Sequence, residues 1–267
     1  MSIINNVNRV GNFTSSNAYK LMTTDRSGKG FGAPALEYIE TRNMEREIGC
    51  SIETETDAKP LQWGRLCEPL VNDDLPTTHK LCSDETILHP DYDFWADSTD
   101  CLIMAGEKKI GTAEIKAPAT KKSWFKLTAG ENIFSMVDGF SRNGASYSKH
   151  TDGAKYLWQC ISHACCHGTD LAEFIVFIPY LKDLQRIREA AKFEGVNWIA
   201  YSTDDELPYI NEGGKFKSMT RIQFEVPKSY KDELTERMVA ASKLLIPRHS
   251  GILLTPQQDG VIIADRL

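Results

Sequence analysis

Several features that mark particular protein classes are missing from this sequence. It has no apolar run long enough to cross a bilayer, and stretches such as Phe174–Ile178 are far too short. It contains no internal repeat, no low-complexity tract and no Cys-x-x-Cys motif. Its first residues lack the basic and long apolar segments of a signal peptide, so no export signal is expected. These absences argue against membrane-spanning, fibrous and repeat proteins.

The chain also lacks a positive net charge. It carries 31 Lys and Arg against 37 Asp and Glu, a formal net charge of −6. This balance argues against a protein that coats nucleic acid through its overall field. A local basic patch is present, because residues 108–126 contain six lysines and a single acid, Glu114. The patch fits either a solvated face or a grip on a phosphate backbone.

Seven cysteines, an odd number, occur in the 267 residues. Without an export signal, reduced thiols in a cytoplasmic setting are expected. One alternative is a zinc site in the segment 160–167, where His163 and His167 lie four residues apart and cysteines are nearby. A helix would point Cys165 and Cys166 in divergent directions, so buried thiols are the favoured interpretation.

The pattern of apolar residues predicts alternating helices and strands, which indicates an α/β domain with a mixed central sheet flanked by helices. Predicted helices cover Pro34–Ile48, Gln62–Leu75, Gly153–His167, Leu184–Phe193 and Tyr230–Leu245. Strands of one sheet are predicted at Glu85–Leu88, Phe94–Ala96, Cys101–Met104 and Lys109–Ile115, followed by Phe174–Pro179, Val196–Tyr201 and Met219–Val226. The first helix is expected to bury Leu36, Ile39, Met44 and Ile48.

The segment 111–118, Gly-Thr-Ala-Glu-Ile-Lys-Ala-Pro, carries the sharpest chemical signal. Side chains alternate along a strand, so Glu114 and Lys116 face one side and Ile115 faces the core. A carboxylate can hold a divalent ion while an adjacent ammonium activates water and steadies negative charge. The competing interpretation of so short a pattern is an ordinary salt pair on an exposed strand.

Two further acids come from the chain upstream. Asp97 and Asp100 occupy a predicted turn before a strand, and a hairpin with the next strand would bring Asp100 beside Glu114. Two hard oxygen ligands and a backbone carbonyl suit Mg²⁺ or Mn²⁺ better than zinc. Asp97 remains an alternative to Asp100, or a turn cap. Glu68, followed by Pro69 in a predicted helix, either points to the same site or is an ordinary surface residue.

Taken together, these segments resemble the PD-(D/E)xK nucleases of the lambda-exonuclease and YqaJ-like viral recombinase type. Five motifs occur in the order of that family: Arg9-Val-Gly-Asn-Phe-Thr14-Ser-Ser16, Gly64–Pro69, Ser98-Thr-Asp100-Cys-Leu102, Glu114-Ile-Lys116 and Tyr156-Leu-Trp-Gln159. The likeness covers about residues 9–180 and implies a restriction-endonuclease-like core. The chain is then one nuclease domain, residues 1–267, in which 181–267 complete or decorate the core. The usual Pro-Asp-Gly turn reads Ser-Thr-Asp-Cys here.

The resemblance implies roles for individual residues. Asp100, Glu114 and the Ile115 carbonyl would bind Mg²⁺, or Mn²⁺, and Glu68 would bind a second ion. Lys116 would activate water, which Gln159 helps to orient. DNA contacts would come from Arg9 and Ser16 at the 5′-phosphate, Tyr156 at the scissile phosphate and Lys121, Lys122 and Lys126 along the backbone.

The implied function is degradation of linear double-stranded DNA in the 5′→3′ direction, which leaves 3′ single strands for phage-type recombination. The implied partners are double-stranded DNA ends, a single-strand annealing protein and other copies of the chain in a ring, with no membrane partner. The setting would be the cytoplasm of a bacterial or phage-infected cell. Two alternatives stay open: a non-catalytic protein that binds DNA ends in recombination, and a PD-(D/E)xK endonuclease.

Overall fold

The computed structural model describes residues 7–52, 58–82, 85–128 and 151–247. Its strands are β1 (Phe13–Thr14), β2 (His79–Leu81), β3 (Ile87–His89), β4 (Tyr92–Asp97), β5 (Cys101–Ala105), β6 (Lys108–Lys116), β7 (Leu171–Phe177) and β8 (Met219–Glu225). Its α-helices are α1 (Ala18–Leu21), α2 (Ala33–Ile48), α3 (Lys59–Asp74), α4 (Lys121–Thr128), α5 (Thr151–His167), α6 (Leu184–Glu194), α7 (Asn197–Ala200) and α8 (Lys228–Ser242).

The strands form two sheets. Five of them run in the order β2-β5-β6-β7-β8, in which β6 and β7 are parallel and the other pairs are antiparallel. The remaining three run β1-β4-β3. The prediction of one sheet for residues 85–115 is therefore wrong, because β3 and β4 pair with each other and with β1. Short strands do not reveal their partners, since pairing depends on segments that are remote in sequence.

The five-stranded sheet has an apolar core on each face. In the parallel pair, Glu114 is opposite Phe174 and Ile115 is opposite Ile175. Phe174 packs in a core with residues of α5, whereas Ile115 lies against a core that includes residues of α3 and α6. Because β6 and β7 are covered on both faces, their side chains are mostly buried. Glu114 therefore points into the protein, towards α5.

Helix α2 buries a face that shares only Ile39 with the predicted one. Leu36, Met44 and Ile48 are exposed, whereas the buried residues are Ala35, Tyr38, Ile39, Arg42 and Glu45. The polar residues on the buried face have partners. Arg42 and Glu45 form an ion pair at 3.2 Å, and Glu45 also accepts a hydrogen bond from the backbone of Gly11. The physical reason is that Glu45 holds the N-terminal segment against the helix, and the spacing of apolar residues does not indicate a buried polar contact of this kind.

In place of the predicted strand Val196–Tyr201, the structure has the short helix α7, Asn197–Ala200. Gly195 ends α6 in the left-handed conformation at φ 73°, and the chain turns back at once into α7. The apolar residues that suggested a strand, Val196 and Ile199, instead pack with Leu184 and Ile187 of α6. Farther along, β8 pairs with β7 as the edge strand of the sheet.

In the part of the chain that the structure describes, no helix has both the length and the apolar character needed to span a membrane.

Candidate active site

The hairpin of β5 and β6 brings together three of the predicted site residues. Cys101 is opposite Ala113, which places Asp100 next to Glu114 at the end of the hairpin. The Asp100 carboxylate accepts a hydrogen bond of 2.7 Å from the backbone N–H of Ile115. The Lys116 ammonium pairs with Oε1 of Glu114 on the same face of β6. Two carboxylates and one amine thus meet where β6 ends.

The two carboxylates of this cluster lie close enough together to disfavour each other's charged form. Burial and the neighbouring charge of Glu114 raise the pKa of Asp100 to about 7, although Lys116 and the Ile115 N–H oppose the shift. Burial would lower the pKa of Lys116, but Glu114 and Asp100 raise it above its usual range, so the amine is an ammonium. Two crowded carboxylates of this kind fit a hard divalent cation, which would relieve their repulsion.

A buried histidine links Glu114 to another acid. Nε2 of His163 lies 2.8 Å from Glu114, and Nδ1 lies 2.5 Å from Asp97. Ionised carboxylates only accept hydrogen bonds, so both ring nitrogens donate and His163 is an imidazolium. Burial alone would lower its pKa, but the charges and hydrogen bonds of Asp97 and Glu114 raise it to about 10. All three side chains are almost fully buried.

Asp97 belongs to this buried network and not to the group of Asp100, Glu114 and Lys116 where β6 ends. Besides His163, it accepts hydrogen bonds from His167 at 3.1 Å and from the Ser15 hydroxyl. Burial would raise its pKa, but these donors hold the pKa of Asp97 well below its usual range. Between the two alternatives for the acid beside Glu114, the geometry therefore favours Asp100.

The zinc alternative finds no support in this geometry. His163 and His167 do lie one helical turn apart, but both are directed at Asp97. Within the described ranges, no group of three or more His, Cys, Asp or Glu side chains is arranged to hold a metal ion. A cation at Asp100 and Glu114 would accordingly complete its coordination with the backbone carbonyl, water and substrate oxygens, as Mg²⁺ commonly does.

Helix α5 also supplies Gln159 and Tyr156. Gln159 is buried one turn before His163, on the face that meets the sheet. The Tyr156 ring packs on Phe174 with centroids 5.1 Å apart, and the Lys116 ammonium lies 5.7 Å from the Tyr156 ring centroid. Tyr156 therefore borders the site through Lys116.

The N-terminal motif reaches the turn that carries Asp100. Arg9 donates a hydrogen bond of 3.0 Å to the hydroxyl of Ser98, two residues before Asp100. Ser16 lies 3.3 Å from the Thr14 hydroxyl, and Thr14 is opposite Ala96 in the parallel pair of β1 and β4. Arg9 and Ser16 thus belong to the segments that frame the site.

Glu68 and three of the lysines predicted to contact DNA are exposed. Glu68 is on the exposed side of α3, whose buried side packs in the core to which Ile115 points. The basic patch is divided: Lys109 contacts His167 at the start of β6, and Lys116 is paired with Glu114. Only Lys121, Lys122 and Lys126 are exposed together, on α4. The metal role of Glu68 stays a prediction.

Sequence reasoning missed the role of His163 and of Ser15, whose hydroxyl also lies 2.7 Å from that of Ser162. The available signal was the pair of histidines at i and i+4 on the predicted helix that carries Gln159. That signal was interpreted as a possible zinc site, because the partner Asp97 lies 66 residues away.

The fold is similar to those of solved exonucleases. An alkaline exonuclease, LHK-Exo, from Laribacter hongkongensis aligns over 88% of this chain and 89% of its own, at 17% identity and a TM-score of 0.52. LHK-Exo in complex with dAMP covers the same shares at 18% identity and a TM-score of 0.51. A phage-related exonuclease from Haemophilus somnus aligns over 87% of this chain and 92% of its own, at 16% identity and a TM-score of 0.56.

No protein-family model matches the sequence, and no curated protein sequence matches it either. At these identities the structural likeness shows the fold alone. The predicted α/β class, with a mixed sheet flanked by helices, is confirmed.

Proposed function

We propose that this protein is a Mg²⁺-dependent exonuclease that degrades linear double-stranded DNA in the 5′→3′ direction. The observation that carries the proposal is the cluster of Asp100, Glu114 and Lys116 at one end of the β5–β6 hairpin. It lies in a fold that exonucleases also have. A crowded pair of carboxylates beside a fixed ammonium is typical of a site selected for chemistry and not for stability.

Asp100 and Glu114 would hold the metal ion together with the Ile115 carbonyl. Glu68, which lies on α3, would hold a second ion. The bound ion supplies Lewis-acid stabilisation of the charge that develops on the phosphate. Mn²⁺ has similar ligand preferences and would be accepted in place of Mg²⁺.

Lys116 acts on the nucleophile and on the developing charge. Because its amine is an ammonium, it donates hydrogen bonds and does not accept a proton. It would hold the attacking water in line with the phosphorus and stabilise the negative charge of the transition state. Gln159, buried on the neighbouring helix, would orient that water or Lys116 itself.

His163 serves as a positioning residue for Glu114. The imidazolium is held between Asp97 and Glu114, so one oxygen of Glu114 is fixed by a charge-assisted hydrogen bond of 2.8 Å. The remaining oxygen is left for Lys116 and for a metal ion. The network thus sets the direction in which the Glu114 carboxylate points.

The DNA end would be held by several groups around this centre. Arg9 and Ser16 would bind the 5′-phosphate, Tyr156 would support the scissile phosphate, and Lys121 and Lys122 would contact the backbone. One structural neighbour is described in complex with dAMP, and a deoxynucleoside monophosphate is the kind of product that stepwise digestion releases.

The product would be a 3′-ended single strand, which a single-strand annealing protein would use in recombination. A ring of several copies of the chain would enclose the duplex and keep it bound between cuts. Light scattering coupled to size exclusion would show a monomer if the ring hypothesis is wrong.

The test is digestion of linear duplexes labelled at the 5′ or the 3′ end, with and without a 5′-phosphate. We expect stepwise loss from the 5′ end in Mg²⁺, no loss with chelator, and slower digestion without the 5′-phosphate. Closed circular duplex is the control, because an enzyme that requires ends leaves it intact. Cutting of circles would favour the endonuclease, and binding of linear DNA without shortening would favour the non-catalytic protein.

A further inference from the structure

A cluster of aromatic rings on α4 is not used by the proposed chemistry. Trp124 is buried and fixes the helix to the core, whereas its neighbour Phe125 is 49% exposed. The ring of Phe216, on the loop before β8, lies between them with centroids 5.4 Å from Trp124 and 5.8 Å from Phe125. Both contacts are edge-to-face, so Phe125 is held in a fixed orientation while one part of its ring faces water.

Five lysines are neighbours of these rings in the sequence, and the Lys215 ammonium lies 5.6 Å from the centroid of the Phe216 ring. Lys121, Lys122 and Lys126 are exposed on α4, and Lys215 and Lys217 are exposed on either side of Phe216. The segments 117–128 and 213–218 contain no Asp or Glu, although the whole chain has a net charge of −6. We call this surface the Phe125 platform, defined as Phe125, Phe216 and these five lysines. A single exposed Phe is ordinary, but one that is fixed among five cations is not.

The platform is close to the active site. Only four residues separate Lys116, which ends β6, from Lys121, which begins α4. A fully extended chain of that length spans about 18 Å, and the first turn of the helix adds about 6 Å. Phe125 therefore lies within about 24 Å of Lys116. Duplex DNA advances about 3.4 Å along its axis for each nucleotide of a strand, so this distance corresponds to at most about seven nucleotides at that rise.

We propose that the Phe125 platform binds a single DNA strand, with a base stacked on Phe125 and the lysines on the flanking phosphates. The exposed part of the Phe125 ring can stack on the flat face of a base. A single strand offers that face, whereas an intact duplex hides it between neighbouring base pairs. The choice of DNA rests on the proposed function. The platform extends that function by giving the separated strand a binding surface outside the catalytic centre.

Binding can be measured without cutting, by fluorescence anisotropy in EDTA. The two probes are a labelled oligothymidylate of about 12 nucleotides and an abasic strand of the same length. We expect Phe125→Ala to weaken binding of the oligothymidylate by about 5- to 150-fold and to leave the abasic strand unchanged. Phe125→Tyr should keep the wild-type affinity, because it keeps the stacking face. The matched control is Phe193→Ala, since Phe193 is 95% exposed on α6.

The lysines predict a different pattern. The double variant Lys122→Glu/Lys126→Glu should weaken binding of both strands, because phosphate contacts do not depend on the base. It should also reduce the dependence of affinity on salt, by about 0.7 in the log–log slope for each lysine–phosphate pair that is removed. Both side chains are exposed, so this variant tests the surface even if Phe125→Ala has a lowered melting temperature.

Three results would overturn the inference. Equal affinities for Phe125→Ala and Phe193→Ala would remove the stacking role. An equally large weakening by Phe125→Ala on the two strands would make Phe125 a structural residue. Competition by polyglutamate as effective as that by oligothymidylate would indicate a site for an acidic protein. If the protein binds DNA in a base-dependent manner but never shortens it, the proposed function is contradicted and this inference is supported.

Discussion

Two buried glutamates on neighbouring strands each contact a histidine and a basic side chain, but only one of them belongs to the candidate metal site. Glu114 on β6 contacts His163 and Lys116, and Glu173 on β7 contacts His79 and Arg221. Both side chains are at most 1% exposed. Ala113 is the residue opposite Glu173, so the two glutamates point to opposite faces of the sheet.

The difference lies in what else is nearby. Arg221 binds both oxygens of Glu173 through two donors, a fork that satisfies a single carboxylate well. Glu114 instead shares its surroundings with Asp100, whose pKa is raised because of burial and of that neighbour. A matched pair makes a buried charge tolerable, whereas a surplus carboxylate is costly without a cation. The extra acid, and not the Glu–His–cation set, therefore marks the candidate metal site.

The largest difference between Glu114 and Glu173 is expected when each glutamate is neutralised in turn. Glu114→Gln should lower the rate of duplex digestion by about 10³-fold or more, because a charged ligand is removed from the reacting centre. Glu173→Gln should keep the rate per folded molecule and lower the free energy of unfolding by about 1–3 kcal/mol. Digestion rates and urea unfolding of both variants measure this. A fully active Glu114→Gln would refute the site assignment.

A second difference should appear on adding metal. Mg²⁺ at a hundred times its dissociation constant should stabilise the wild-type protein by about 2.7 kcal/mol. Asp100→Asn should lose this gain, while Asp97→Asn should start from a lower stability and keep it. Thermal unfolding with Mg²⁺ and with EDTA makes the comparison. The reverse result would move the ligand from Asp100 to Asp97.

The histidines provide the smallest expected contrast. His163→Gln removes one of the two charged partners of Glu114, so Glu114 loses its fixed orientation. We expect a 10- to 100-fold lower rate or metal affinity, seen as a higher Mg²⁺ concentration for half-maximal activity. His79→Gln, its counterpart at Glu173, should leave the Mg²⁺ dependence unchanged. If both variants shift that dependence equally, His163 is only part of the core.

Local patterns predicted a good part of this arrangement. The two-residue period of a strand placed Glu114 and Lys116 on one face, and the proximity of two strands suggested the hairpin that brings Asp100 to them. Both rest on neighbours in sequence, for which geometry is nearly fixed. The buried face of α2 was mostly predicted wrongly. It carries the Arg42–Glu45 ion pair and Tyr38, whose hydroxyl accepts a hydrogen bond from the backbone of the N-terminal segment, and the apolar spacing of the helix does not indicate such contacts.

Local sequence patterns were enough to predict the α/β class, the order of most elements and the identity of the acids and the lysine at the hairpin. The folded arrangement was needed to show that Asp97 pairs with His163 while Asp100 faces Glu114, and that Glu114 and Glu173 lie on opposite faces. The reason is physical. A side chain's partner in a buried polar network is set by which remote segments share a low-dielectric space, and packing alone defines that space.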